Sequence, residues 1–404
     1  MHLRCIQCDS TYDLHERLLA CRRCGDLLEM VVEVKQAPED LKRTWRERRM
    51  SNEPRDLSGV WRFREFLPDY DQVITMQEGN TALVRAPRSS AWAGLKNLRF
   101  KHLGWNPTLS FKDLGMTVGV TEAVHIGAKV VACASTGNTS ASMAAYAARA
   151  GIKARVYLPS GYVSMAKVAQ SIDYGAELVQ VDGSFDQALD TMLSQGSGQV
   201  YFLNSINPFR IEGQKTAVFE LMTQLDWKPP DYIVCPGGNL GNSSAFGKAL
   251  EELKAHGLIE KVPKLVVVQA MGANPLARFW HDGGTQLTPV ADPETVATAI
   301  RIGNPKSWKK AMRGLRFTTG MVLDVTDEEI GDAKETIGRD GIGCEPASAT
   351  TLAGLRKLVR QNLIDSDATV VAMLTGHVLK DPDYIVKRHG YSVAAPQMAE
   401  TQPV

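Results

Sequence analysis

The hydrophobic and polar positions change character near residue 98. From there on, short β-branched or apolar runs recur at Lys129 to Ala134, Ala154 to Leu158, Glu177 to Val181, Tyr232 to Cys235, Leu265 to Gln269 and Thr369 to Met373. Longer stretches of helical period separate them. Strands alternating with helices in this rhythm build βαβ units and parallel sheets, so the pattern predicts an α/β chain. Residues 38 to 67 are instead charged and polar, with a basic cluster at Lys42, Arg43, Arg46, Arg48 and Arg49. Such a run reads as the solvated face of a helix. Beyond Gly390 the pattern fades, and residues 391 to 404 read as a loose tail. No uncharged apolar run approaches the ~18 residues that span a bilayer, so a membrane role is excluded.

Composition narrows the picture further. A chain of 404 residues is long enough for two or three domains of about 150 residues each. Basic residues number 46 against 45 acidic ones, a net charge of +1. That balance provides no broad positive field for a nucleic-acid backbone, which disfavours a dedicated nucleic-acid binder. The opening Met1-His-Leu-Arg-Cys5 has neither the apolar core of a signal peptide nor the arginine-rich character of a transit peptide, so the expected location is cytoplasmic.

The cysteines are distributed unevenly. Cys5-x2-Cys8 and Cys21-x2-Cys24 are separated by twelve residues, and Gly25 closes the second pair. Two such pairs on tight turns bring four thiolates within tetrahedral reach of one Zn²⁺. A ribbon of this size is too small to hold a core without its metal. His15 falls on the loop between the pairs. The other three, Cys133, Cys235 and Cys344, lie in or beside apolar or glycine-bearing stretches. An odd total arranged this way does not make a secreted disulfide framework.

Three segments carry chemistry. Asp231 to Leu253 reads as strand, glycine loop (Gly237-Gly-Asn-Leu-Gly241-Asn242) and helix. That order points free backbone N–H groups and a positive helix end at an anion, most naturally a phosphate. It is not a Walker loop, because Gly241 to Gly247 encloses five residues and Ala249 follows Lys248. A second turn, Ser135-Thr136-Gly137-Asn138-Thr139-Ser140, lies between an apolar strand and an alanine-rich helix and holds more hydroxyls than a helix cap needs. In the third, Ser110-Phe-Lys112-Asp, a lysine enters a helix, where the dipole and burial favour the neutral amine that Schiff-base chemistry uses. Taken singly, these segments read equally well as a tight packing turn, a cap and a solvated lysine.

Together and in this order, they resemble the fold-type II pyridoxal phosphate enzymes. Ser110-Phe-Lys-Asp-Leu-Gly-Met-Thr-Val118, Asn204-Ser-Ile-Asn-Pro-Phe-Arg210-Ile-Glu-Gly-Gln-Lys-Thr216, Ala299-Ile-Arg-Ile-Gly-Asn-Pro305 and Leu374-Thr-Gly-His377-Val-Leu-Lys380-Asp look like threonine synthases. The wording around Lys112 and at Gly59-Val-Trp-Arg-Phe63 is similar to the plant-type branch. The resemblance implies two three-layer α/β/α domains of the tryptophan synthase β-like class behind a small N-terminal zinc ribbon. The expected division is residues 1–34 for the ribbon, 35–115 with 206–390 for a large cofactor-binding domain, and 116–205 for a small α/β domain.

The resemblance also implies roles. Lys112 would carry pyridoxal 5′-phosphate as a Schiff base, and Asn138 would meet its 3′-oxygen. Gly237, Gly238, Asn239, Leu240, Gly241 and Asn242 would hold its phosphate, and Thr375 would face its ring nitrogen. Ser135, Thr136 and Thr139 would face the substrate's carboxylate or phosphate. Asn204, Ser205 and Arg210 would grip the substrate phosphate, Arg210 having the fork suited to a dianion. The implied reaction turns O-phospho-L-homoserine and water into L-threonine and phosphate, in a homodimer. A threonine dehydratase, or a phosphoserine-using enzyme such as cysteate synthase, would share Lys112 and the glycine loop. Two positions depart from the family, where Leu109 and Val378 replace common glycines.

Overall fold

The computed structural model describes residues 1–135, 137–159, 165–182 and 200–390. The candidate Thr136 and the expected tail 391–404 lie outside them. All six apolar runs form strands, here β6 (Val130–Ala134), β7 (Lys153–Pro159), β8 (Glu177–Val181), β10 (Tyr232–Pro236), β11 (Lys264–Ala270) and β13 (Thr369–Leu374). Four short strands join them: β4 (Leu83–Arg85), β5 (Asn97–His102), β9 (Val200–Phe202) and β12 (Met321–Val325). One sheet runs in the order β12-β11-β10-β13-β5-β4 and a second in the order β8-β7-β6-β9. Every pairing in both is parallel except β4 against β5. The α/β class read from the pattern is the class observed.

Strand β5 explains why it gave no apolar run. Lys101 is fully buried, its ammonium donating to Thr81 O at 2.6 Å and Gln224 Oε1 at 2.9 Å while pairing with Glu220 at 3.0 Å. A buried cation is tolerated there because an acid and two acceptors answer it.

The ribbon is a three-stranded antiparallel sheet of β1 (His2–Cys5), β2 (Thr11–Tyr12) and β3 (Leu28–Val31), in the order β2-β1-β3. It does not stand apart, since Leu3, Cys5, Leu28 and Met30 share one apolar core with Trp45, Phe63, Phe66 and Phe219. Polar contacts fasten it as well. Lys248 donates to Met30 O and Lys310 to Leu28 O, each at 2.5 Å. Glu29 pairs with Arg4 at 2.8 Å and Arg313 at 2.7 Å. Burial alone would raise the Glu29 carboxyl, yet the two guanidiniums hold it down at about 2.

The basic cluster lies on the helix Pro38–Arg49, which buries Leu41 and Trp45. Lys42 and Arg43 pair with acids on the same helix, as a solvated face does. Arg48 departs from that expectation, turning inward to Glu65 and to Arg62 O. No helix among the described residues is long and apolar enough to cross a membrane.

Two helices set up the site. The helix Lys112–His125 crosses the helix Pro208–Gln224 with almost no space between their backbones. A Cβ added at Gly213 would collide with Leu114 O, and one at Gly115 would lie 2.8 Å from Arg210 O. Glycine at both positions is what allows Lys112 and Arg210 to come together.

Candidate active site

Parallel α/β sheets bind ligands beyond the carboxyl ends of their strands, and the sequence candidates collect there. Ser135 follows β6, Asn204 and Ser205 follow β9, Gly237 follows β10 and Thr375 follows β13. Lys112 opens its helix beside the last of these. Phe111 N donates to Thr375 O at 2.9 Å and His377 N to Leu109 O at 3.0 Å, and Ser110 forms a bridge with Gly376. This miniature ladder pins the helix start to the β13 loop. Leu109 takes φ +66°, a left-handed conformation natural to glycine and strained for leucine. That geometry accounts for the glycine common at this position.

The Lys112 amine is held well below its ordinary range, at about 7. Burial is the main cause and the Arg210 guanidinium adds to it, while Glu345 opposes both. Such an amine is largely neutral and nucleophilic near neutral pH. Arg210 is 1% exposed and donates from Nη1 to Leu203 O at 2.9 Å. Among the described residues it has no carboxylate within ion-pair distance. Burial pushes even this guanidinium down to about 10.

On the other side of the lysine stands a carboxylate that the sequence did not reveal. Glu345 is buried. Its Oε2 accepts from Asn138 Nδ2 at 2.9 Å and its Oε1 from Thr375 Oγ1 at 3.2 Å. Burial raises its pKa, offset in part by Asn138, Lys380 and Lys112. Glu345-Pro346 reads as an ordinary helix start, so only the fold identifies it. Lys380 is a second omission, its ammonium reaching Gln170 on the helix Met165–Asp173. Ser135 and Thr139 are half-buried at the start of the helix Asn138–Ala150. Among the described residues no side chain caps that helix, and Ser135 Oγ accepts from Gly137 N at 3.3 Å.

The glycine loop ends in Leu240 at φ +63° and opens into the helix Gly241–Ala255. Asn239 reaches Ser205, donating from Nδ2 to Ser205 Oγ at 2.6 Å and accepting from Lys306 N at 2.6 Å. Asn242 instead ties the loop together, donating to Pro236 O at 3.0 Å and accepting from Ser243 N at 2.8 Å. A Cβ added at Gly237 would lie 2.6 Å from Val267 Cγ1 and one at Gly238 3.0 Å from Ile300 Cα, so a larger residue at either would push its neighbours aside. Asn204 Oδ1, Arg210 Nε and Gln214 Oε1 are among the buried polar atoms that find no partner among the described residues.

At the N-terminus the four cysteine sulfurs lie within 4.8 Å of one another, a cluster that fits a tetrahedral metal site such as zinc's. Tyr12 OH sits 3.0 Å from Cys21 Sγ. His15 does more than occupy its loop, since its Nδ1 lies 2.9 Å from Glu122 Oε2 and its ring packs on His125. It thereby joins the ribbon to the far end of the lysine helix.

Comparison with known proteins agrees with this geometry. A family model described as pyridoxal-phosphate dependent enzyme matches residues 74–376. The threonine synthase of Methanocaldococcus jannaschii is 46% identical over 388 residues, covering 95% of this chain and 94% of the relative. The chain belongs to the threonine synthases, within the pyridoxal-phosphate dependent enzymes. The threonine synthase of Mycobacterium tuberculosis is 44% identical over 330 residues, 80% of this chain and 89% of its own length. Among solved structures, threonine synthase from Escherichia coli superposes with a TM-score of 0.71 at 19% identity, covering 98% of this chain and 93% of that one. A fungal L-serine ammonia-lyase from Rhizomucor miehei gives 0.67 at 20%, covering 79% and 99%. At those identities the structures speak for the fold.

Membership makes the protein a lyase whose cofactor is pyridoxal phosphate, and the residues present fit that group. The depressed Lys112 amine suits a carbonyl. The glycine loop at a helix start suits a phosphate, and the unpartnered atoms of Asn204, Arg210 and Gln214 are donors and acceptors left for a ligand.

Proposed function

We propose that the cleft converts O-phospho-L-homoserine and water into L-threonine and phosphate. The observation that carries this reading is Arg210, a buried guanidinium without a carboxylate partner among the described residues, in the same cleft as a separate glycine loop. One reactive amine thus has two corners suited to anions. A reaction that holds a phosphorylated cofactor and releases phosphate from its substrate needs both.

In this reading Gly237, Gly238, Asn239, Leu240 and Gly241 hold the cofactor phosphate, with Asn242 bracing the loop. Asn138 and Thr375 hold the ring's oxygen and nitrogen. Pyridoxal phosphate bound there supplies the electron sink for charge developing at the substrate's α-carbon. Lys112, once free, takes the α-proton, a task its amine can perform because it is largely neutral near pH 7. Arg210, Asn204 and Ser205 bind the substrate phosphate, while Ser135, Thr139 and Thr136 of the same turn orient its carboxylate. The cysteine cluster holds one structural Zn²⁺. Family resemblance supports a cytoplasmic homodimer.

The test is turnover of O-phospho-L-homoserine, followed as inorganic phosphate and L-threonine appearing in equal amounts. Phosphate release from phosphoserine, or deamination of threonine, with phosphohomoserine left intact would move the chain to a sibling activity.

A further inference from the structure

His15 lies outside the roles assigned above, yet it touches both of the helices whose crossing builds the cleft. Its Nδ1 is 2.9 Å from Glu122 Oε2 on the helix Lys112–His125. Its ring stacks on Phe209 of the helix Pro208–Gln224, with centroids 6.4 Å apart and 20° between the ring planes. Glu122 and Phe209 are both buried, and Phe209 immediately precedes Arg210. Glu122 lies within one turn of Gly119, where an added Cβ would come 3.2 Å from Arg210 Cγ. One imidazole therefore spans the two helices close to the guanidinium. The crossing itself has no slack at Gly115 and Gly213, so a shift of either helix moves Lys112 relative to Arg210.

The loop that carries His15 takes its shape from the cysteine cluster. Residues 13–19 form neither helix nor strand, and they lie between the two-residue strand β2 and Cys21. Tyr12 OH, where the loop begins, is 3.0 Å from Cys21 Sγ, where it ends. A metal ion shared by Cys8 and Cys21 closes this loop at its base and removes conformational freedom from it. Arg17 of the same loop donates to Ile126 O at the end of the lysine helix. The other side of the ribbon has a grip of its own. Met30 O accepts from Lys248, which pairs with Glu212 two residues beyond Arg210. Lys248 belongs to the helix Gly241–Ala255 that opens from the glycine loop. The ribbon thus holds the helices of Lys112, Arg210 and the glycine loop together, and the His15 contact is made by the loop that the metal closes.

We propose that His15 is a positioning residue through which zinc in the ribbon and pyridoxal phosphate in the cleft strengthen each other's binding. The metal closes the loop and the loop sets His15. His15 in turn holds the crossing that presents the Lys112 amine beside Arg210. Coupling between two sites is reciprocal, so zinc raises the affinity for the cofactor by the same factor by which the cofactor raises the affinity for zinc. The inference rests on the reading above in which the four cysteines hold one zinc ion.

The experiment measures pyridoxal phosphate affinity of the full chain by the cofactor's absorbance, with zinc loaded and with zinc stripped by a chelator under reducing conditions. Native protein is compared with His15→Ala. Stripping should weaken cofactor binding about tenfold in the native protein, within the usual range for coupled sites, and by roughly twofold or less in His15→Ala. The variant should already bind the cofactor about tenfold more weakly while zinc is loaded. Zinc affinity, read by competition with a chelator, should rise about tenfold on adding cofactor to the native protein and stay unchanged in His15→Ala. A ribbon that only stabilises the fold would give the same stripping effect in both proteins, and that result overturns the proposal. Equal cofactor affinity in loaded and stripped native protein also overturns it, as does a native protein that takes up no zinc. Should His15→Ala not fold, His15→Asn decides. Its amide can stand at the Nδ1 position toward Glu122 but offers no ring to Phe209, so a coupling below the native factor supports the proposal and an unchanged one overturns it. No substrate is present, so failure of phosphohomoserine turnover would leave this result standing, and the reverse also holds.

Discussion

The ribbon seam and the cleft both bury charge, and they treat it in opposite ways. At the seam each buried carboxylate meets two cations. Glu29 lies between Arg4 and Arg313, and Glu212 between Lys215 and Lys248. In the cleft burial and the Arg210 guanidinium depress the Lys112 amine, with Glu345 opposing them, and burial depresses Arg210 itself. A paired, hydrogen-bonded set is complete as a structural contact, whereas buried cations short of anions are incomplete until one binds. The difference separates the part of the molecule that braces from the part that reacts.

Four substitutions bear on that contrast, in order of expected size. Lys112→Ala should lower turnover by roughly 10³-fold or more, the scale of a lost acid–base and covalent group, while metal content and thermal midpoint stay native. A variant retaining most activity would place the chemistry elsewhere. Glu29→Gln should leave turnover at moderate temperature intact yet cost about 3 kcal/mol of stability, as breaking a buried pair does; denaturant unfolding measures it. A loss of activity without a loss of stability would break the contrast.

Arg210→Gln should raise KM for the phosphorylated substrate by roughly 10- to 100-fold, the worth of a charged hydrogen bond to phosphate. It should also raise the Lys112 pKa above about 7, because a neighbouring positive charge disfavouring the ammonium is removed. Amine labelling of cofactor-free protein across pH reads that shift, and a shift downward would contradict the sign. Leu109→Gly should stabilise the protein by about 1 kcal/mol or less, by relieving a positive φ that leucine tolerates poorly. A lower melting temperature would mean that the leucine's packing outweighs the strain.

Much of this layout was legible in the sequence because it is local. The apolar runs become parallel strands, Ser135 and Gly237 directly follow β6 and β10, and Ser110-Phe-Lys112 leads into a helix beside the loop after β13. What stayed hidden depends on distant partners. Lys101 in β5 is charged and looks unsuited to a core until Glu220 and Gln224 arrive from a helix far along the chain. Glu345 meets Asn138 across 207 positions, and nothing within either segment announces the other. His15 reads as a loop residue because its carboxylate, Glu122, is contributed by another element. Arg210 alone reads as a surface cation, and only the glycine crossing at Gly115 and Gly213 shows that it is interior.

The central claim is that this cleft acts on a phosphorylated amino acid through Lys112. The most direct measurement follows purified holoenzyme with O-phospho-L-homoserine, assaying phosphate and threonine together, beside Lys112→Ala. The account predicts equal yields of both products from the native protein and essentially none from the variant. Native protein that leaves phosphohomoserine untouched while turning over phosphoserine or threonine, or a variant that matches the native rate, would contradict it.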